Sequence, residues 1–158
     1  MGKIKLIVVL IVWWFQYQAL QGQSRQLSSS DRNSVGGGCE GCDLMFVEIP
    51  STIKSEATIV SANEPGEKLE ISGIIYQHDG KTPAPDVILY VYQTAKNGLY
   101  EPGDNQTGEV RRHGRIRGWV KTNQKGEYKI VTIRPGNYPN SNIPAHIHPT
   151  VKETDKNE

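Results

Sequence analysis

Tyr138, His146 and His148 are the residues of this chain whose types and spacing could do chemistry. They share the stretch Thr132-Ile-Arg-Pro-Gly-Asn-Tyr138-Pro-Asn-Ser-Asn-Ile-Pro144-Ala-His146-Ile-His148. Side chains alternate faces along a strand, so two histidines two apart, flanked by Ala145 and Ile147, project to the same side. Two imidazoles on one face make half a metal site. A bare His-x-His is also what a polar strand face produces by chance, and Tyr138 is what separates the two readings. It follows a Pro-Gly turn signal and reaches the histidines through a short Pro- and Asn-rich loop, which can return the chain beside the preceding strand. Phenolate is a hard anionic ligand; with imidazole it suits Fe(III) better than Zn(II), which collects thiolates and imidazoles. A zinc or copper site built on the histidines is the competing metal reading.

Cys39-Glu-Gly-Cys42 holds the only two cysteines. A zinc ribbon needs a second pair and a thioredoxin-like centre needs a βαβ context; both are missing. In an exported protein the expectation is a small structural disulfide.

The elements that must position these residues begin after an N-terminal segment. Lys3 and Lys5 precede the apolar run Leu6 to Phe15, and Gln16, Gln18, Gln21 and Gln23 follow, which is the order of a signal peptide over residues 1–23. Export to the periplasm or the exterior is therefore expected. The run is shorter than the roughly twenty apolar residues of a membrane span, so an uncleaved anchor is the less favoured reading, and no stable membrane association is expected after cleavage. Residues 24–45, rich in Ser, Gln, Asn and Gly, read as a flexible linker carrying Cys39 and Cys42, which leaves 46–158 as one folded domain. A formal net charge of +1 argues against a general nucleic-acid binder.

Within that domain, Leu44–Ile49 reads as a first short strand and Pro50–Lys68 as a polar connector. Leu69–Tyr76 and Asp86–Gln93 read as strands neighbouring in one sheet across the turn-rich His78–Pro85. Arg115–Thr122 and Glu127–Ile133 read as a hairpin closed at Asn123-Gln-Lys-Gly126. Ala145–Val151 is the last strand. Short, mostly antiparallel strands with regular turn signals and no convincing helix predict an all-β fold, a β-sandwich with long functional loops. The longest loop, Thr94–Gly114, contains Gly98-Leu-Tyr100; a loop of that length in a compact domain is usually functional or disordered. It runs into Arg111-Arg-His-Gly-Arg-Ile-Arg117, a solvated basic face by default and otherwise a means of drawing anionic substrates to a nearby site.

With Tyr100 beside Tyr138, His146 and His148, the chain resembles the intradiol ring-cleavage dioxygenases, non-haem Fe(III) enzymes that open catechols. The parts occur in family order between about Leu69 and Val151. They are a Gly-x-(Ile/Val) strand leading to an Asp-Gly turn at Gly73–Gly80, Tyr92-Gln93 at a strand end, Gly98-Leu-Tyr100, Gly126-Glu-Tyr128, Ile133-x-Pro-Gly-x-Tyr-Pro139 and Pro144-x-His-x-His148. Singly these are weak; in this order they are specific. The resemblance implies Tyr100, Tyr138, His146 and His148 as ligands of Fe(III), with Tyr100 and His148 equatorial and Tyr138 and His146 axial. It further implies a catechol-like diol and O2 as substrates, and cleavage between the two hydroxyl-bearing carbons. Two phenolates and a hydroxide would balance the charge of Fe(III), which keeps tyrosines ionised far below their usual pKa of about 10. In the family's mechanism hydroxide takes one catechol proton and the departing axial tyrosinate the other, so Tyr138 would be ligand first and general base second.

Three departures stand against the family pattern. Ile143 occupies the place of an Arg that stabilises developing substrate charge. Tyr90 and Tyr92 replace an acidic residue and a Trp in the strand before Gly-x-Tyr. The family also continues well past its His-x-His strand, so the chain looks incomplete at its C-terminus. A rival reading is a non-catalytic sandwich of the carboxypeptidase-regulatory or transthyretin-like sort, which often opens on a pattern like Gly73-x-Ile…Asp79-Gly-Lys-Thr-Pro-Ala-Pro85. It gives no reason for the four candidate ligands to occur together. Homo-oligomerisation is left open.

Overall fold

The computed structural model describes residues 41–154; the expected signal segment, most of the expected linker and Cys39 lie outside the described residues. Six strands form: β1 Glu56–Thr58, β2 Lys68–Ile74, β3 Ile88–Gln93, β4 Arg117–Lys121, β5 Glu127–Ile133 and β6 Ile147–Lys152. They make two three-stranded sheets, ordered β1-β5-β2 and β4-β3-β6. Two short 3-10 helices, Cys42–Phe46 and Gly108–His113, complete the regular structure among the described residues. The fold is the expected all-β sandwich. Among the described residues no helix is long and apolar enough to cross a membrane.

The sequence pattern explains which strands are central. In β2 exposed and half-buried residues alternate, with Leu69, Ile71 and Gly73 turned inward, as a strand with one covered face requires. In β3 the run Ile-Leu-Tyr-Val-Tyr-Gln is buried except for a half-exposed Tyr92, because β3 lies between β4 and β6 and both its faces are covered. Its inner face, Leu89 and Val91, packs with Val120 and Ile130 in the sandwich core. Its outer face, Ile88 and Tyr90, packs with Met45 from the first 3-10 helix, and Phe46, Ile53, Tyr92 and Trp119 close around them.

Both expected hairpins are absent as sheet pairs. Leu69–Tyr76 and Asp86–Gln93 fall in different sheets, β2 pairing with β5 and β3 with β4 and β6. The turn at Asn123–Gly126 does close, with Gly126 N–H donating to the Asn123 carbonyl over 2.9 Å, yet β4 and β5 then part into opposite sheets. The cause lies in the stretch read as a polar connector. Lys54 and Ser55 accept hydrogen bonds from Lys121 N–H and Lys129 N–H, and β1 runs parallel to β5 from Glu56↔Lys129 to Thr58↔Val131. A segment from early in the chain thus wedges between the two arms and takes the hydrogen bonds a hairpin would have made.

Two further expectations are corrected. The first part of Leu44–Ile49 is helical rather than extended: it belongs to the 3-10 helix Cys42–Phe46, whose Leu44 and Met45 are buried. The basic run 111–117 is a solvated face only at its start, where Arg111 and Arg112 are exposed. Arg117 is buried, pairs with Glu48 and lies 5.1 Å over the Trp119 ring. Arg115 pairs with Glu64 and Glu101.

Candidate metal centre

Three loops deliver the four candidate ligands to one end of the sandwich. Tyr100 follows β3 through a tight turn in which Gly98 N–H donates to the Ala95 carbonyl over 2.9 Å. Gly98 has φ +79°, and a Cβ there would overlap the Asn137 carbonyl oxygen; a Cβ at Gly136 would overlap that of Lys96. Glycine at both places lets the two loops touch backbone to backbone, which sets Tyr100 beside Tyr138. Gln93 fastens the same junction. It is buried, its amide donates to the Ile133 carbonyl over 2.8 Å, and its carbonyl oxygen accepts from Thr132 Oγ1 over 3.0 Å, so the end of β3 is tied to the end of β5 across the two sheets. Thr94 Oγ1 adds a bond to the Gly136 carbonyl over 2.8 Å. The third loop leads to β6, where His148 sits opposite Tyr92 of β3 and His146 just precedes the strand.

All four side chains meet, and Tyr138 is the hub. Its phenolic oxygen is 2.6 Å from that of Tyr100, 3.0 Å from Nε2 of His146 and 3.2 Å from Nε2 of His148. The two Nε2 atoms are 3.0 Å apart. His146 Nδ1 is 2.8 Å from the Pro144 carbonyl, which fixes its proton on Nδ1 and turns the Nε2 lone pair toward the cluster.

The donor set fits a cation better than it fits itself. Two phenols bring two protons, and His148 can supply a third from Nε2 only by ceasing to be a lone-pair donor. Four short contacts must then be filled with three protons at most, so at least one contact sets lone pair against lone pair. Donor atoms each about 2 Å from a shared ion lie about 3 Å from one another, and the four contacts have that spacing. Among the described residues no three His, Cys, Asp or Glu side chains are grouped to hold a metal, so metal binding here depends on the phenols. Burial, then the hydrogen bond with Tyr138, pushes the Tyr100 phenol above its usual pKa; it ionises here only against a strong positive charge. Burial, and then the neighbouring His146, lowers His148 and keeps its imidazole neutral, the state a ligand needs.

The sequence model of the dioxygenase family matches residues 44–154, more than two thirds of the chain. The chain belongs to the dioxygenase family. Solved dioxygenases share its fold. The dioxygenase domain of a dioxygenase and carbohydrate-binding protein fusion from Streptomyces sp. SirexAA-E is 23% identical, with TM-score 0.52 over 78% of this chain and 70% of that one. An intradiol ring-cleavage dioxygenase from Tetranychus urticae is 23% identical, with TM-score 0.51 over 75% of this chain and 56% of that one. Catechol 1,2-dioxygenase from Pseudomonas arvilla C-1 is 19% identical, with TM-score 0.52 over 64% of this chain and 36% of that one. This dioxygenase chain thus spans little more than half the length of the mite protein and about a third of the Pseudomonas enzyme. No curated protein matches it.

The structure adds residues that sequence reasoning left outside the site. His113, within the basic run, is buried and its ring stacks on Tyr92 with centroids 3.6 Å apart and planes 4° from parallel. Burial lowers it to about 4, so it is neutral at physiological pH. Nothing in the pattern flags it beyond an imidazole before Gly114 in a long loop. Ile143 is 52% exposed, and its backbone N–H donates to Ser141 Oγ over 3.1 Å; no cation takes the place of the family Arg at that position. Cys42 is disulfide-bonded, which removes the thiolate a metal ligand would require, and its sulfur lies 3.7 Å from the Thr150 hydroxyl.

Proposed function

We propose that this member of the dioxygenase family is an exported non-haem Fe(III) enzyme that cleaves a catechol-type diol between its hydroxyl-bearing carbons with O2. The observation that carries the reading is the convergence of two phenolic oxygens and two imidazole nitrogens at 2.6–3.2 Å with too few protons to fill the contacts. Tyr100, Tyr138, His146 and His148 would hold the iron. Among the described residues no carboxylate joins the four, and two phenolates favour the ferric over the ferrous state. Bound there, Fe(III) would supply Lewis acidity toward a catecholate and so favour attack of O2 on the substrate ring.

The protein's own groups handle orientation and protons. A catechol must shed two protons to bind as a dianion. The Tyr138 oxygen, touching all three other donors, is the group placed to accept one of them, and the other passes to hydroxide. All four residues are half-buried, so the cluster is in contact with solvent.

The test is to load the protein with Fe(III) and incubate it with catechol, protocatechuate and hydroxyquinol under labelled O2. A cis,cis-muconate-type diacid carrying both labelled atoms is expected. A yellow semialdehyde, from cleavage outside the diol, would remove the intradiol assignment. A protein that stays colourless with stoichiometric metal bound would remove the tyrosinate-iron site itself.

A further inference from the structure

The two histidines of the cluster are held by different devices. The torsion that turns an imidazole about its Cβ–Cγ bond has a broad, shallow profile, so a ligand's ring plane must be set by something outside the residue. For His146 that is the hydrogen bond from Nδ1–H to the Pro144 carbonyl at 2.8 Å, the usual way in which a liganding imidazole is oriented. Among the described residues none hydrogen-bonds to Nδ1 of His148. What His148 has instead is the face of Tyr92, stacked on it with centroids 4.5 Å apart and planes 6° from parallel.

Tyr92 is itself held from behind by His113, stacked at 3.6 Å and 4°, so three rings lie in a column running from buried protein to the donor cluster. The base of the column is anchored. Tyr90 oxygen is 2.9 Å from His113 Nδ1, and Arg117 Nη1 donates to the same oxygen over 3.5 Å, leaving the Tyr90 hydroxyl proton to be donated to Nδ1. His113 is 5% exposed and Tyr90 fully buried. Register explains the alignment: Tyr92 and His148 are direct cross-strand partners on β3 and β6, so their rings rise side by side from the same face of the sheet.

We infer that Tyr92 and His113 are positioning residues, a stacked column that fixes the ring plane of His148 as Pro144 fixes that of His146. The tie to iron rests on the functional reading above, whereas the column itself does not. The variants are Tyr92→Phe, which keeps the ring, Tyr92→Leu, which removes it, and His113→Ala, which removes its backing. Each is checked for native circular dichroism before use. In the metal-free protein, the ring current of Tyr92 shields the carbon-bound ring protons of His148 but has no such effect on His146. Tyr92→Leu is expected to abolish that upfield shift, His113→Ala to reduce it, and Tyr92→Phe to restore it. In the Fe(III)-loaded protein, Tyr92→Leu and His113→Ala are expected to shift the visible charge-transfer band and lower resistance to a chelator by about tenfold, with Tyr92→Phe again close to the parent. A folded Tyr92→Leu with an unchanged His148 shift, or with unchanged band and iron retention, overturns the proposal. If the parent protein takes up no Fe(III), it is the functional reading that falls; the column is then judged on His113→Ala, which leaves the Tyr92 ring in place, and is kept if that variant reduces the His148 shift and discarded otherwise.

Discussion

On the inner face of the β4-β3-β6 sheet, β3 presents Leu89 and Val91 to Val120 and Ile130, and the packing among these four is apolar. On the outer face Ile88 and Tyr90 still pack on Met45, but the same strand also presents Tyr90 and Tyr92 to His113, Trp119 and His148 through ring contacts and a hydrogen bond. Inner contacts are non-directional and depend on filled volume. Outer contacts depend on angle, because a ring stack or a hydrogen bond lost by rotation has no substitute nearby. Neighbouring residues of one strand thus do different work: Val91 fills the core, while Tyr92, one residue on, meets the candidate metal centre.

The largest expected effect falls on the outer side. Tyr138→Phe removes the hub of the donor cluster and should cut turnover by about a thousandfold or more, since both a ligand and a proton acceptor are lost. The half-exposed ring leaves the melting temperature almost unchanged. Product assay, visible spectrum and thermal melt check this together, and a large fall in melting temperature would break that division of work.

Ile130→Ala is the converse. A buried, 1% exposed core residue is truncated, at an expected cost of about 2–5 kcal/mol, while the charge-transfer band keeps its position; denaturant unfolding and absorbance measure the two. Gly98→Ala should blur the comparison. Alanine at φ +79° costs about 1–2 kcal/mol, and its Cβ forces the Asn137 loop away, so a modest loss of stability should come with a weakened band.

A smaller effect is visible only in acid. Burial holds His113 at about 4, against 6.5 ordinarily, so between those values the folded protein binds fewer protons than the unfolded chain and stability falls as pH drops. Above 6.5 both states are neutral and the contribution is constant. His113→Gln should flatten the stability profile in that window, as urea midpoints measured across it will show. Smallest of all, Glu109→Gln breaks only the exposed pair with Arg112 and should change stability by less than about 0.5 kcal/mol, with no spectral change.

The positions of most strands were legible in the sequence, because alternation and turn residues are local signals: the run Glu127–Ile133 matches β5 end to end, and Ala145–Val151 overlaps β6 with a shift of one or two residues. The four candidate ligands could be picked out because Tyr and His in that order and spacing are uncommon, and the structure brings their side chains together. Strand partners were not legible. Whether the arms beside Asn123–Gly126 pair with each other depends on Lys54–Thr58, whose residues Glu56 and Thr58 carry no apolar alternation to announce a strand. The same holds for charge. Arg115 and Arg117 read as a solvated run until Glu64, Glu101 and Glu48, remote in sequence, are placed against them. His113 is the extreme case, since its burial is defined by Tyr90 and Tyr92, which are themselves departures from the family pattern.

The wedge of β1 between β4 and β5 also has a consequence in time. Its partners are made long after it is, so during synthesis the segment must wait unpaired until β5 has emerged, and neither sheet can close before then. His146 and His148 arrive later still, the first just before β6 and the second on it. Such non-local pairing makes for slow, cooperative closure, and it means that no partial chain ending before β6 holds the four donors. The four side chains can therefore meet only once the sandwich is built.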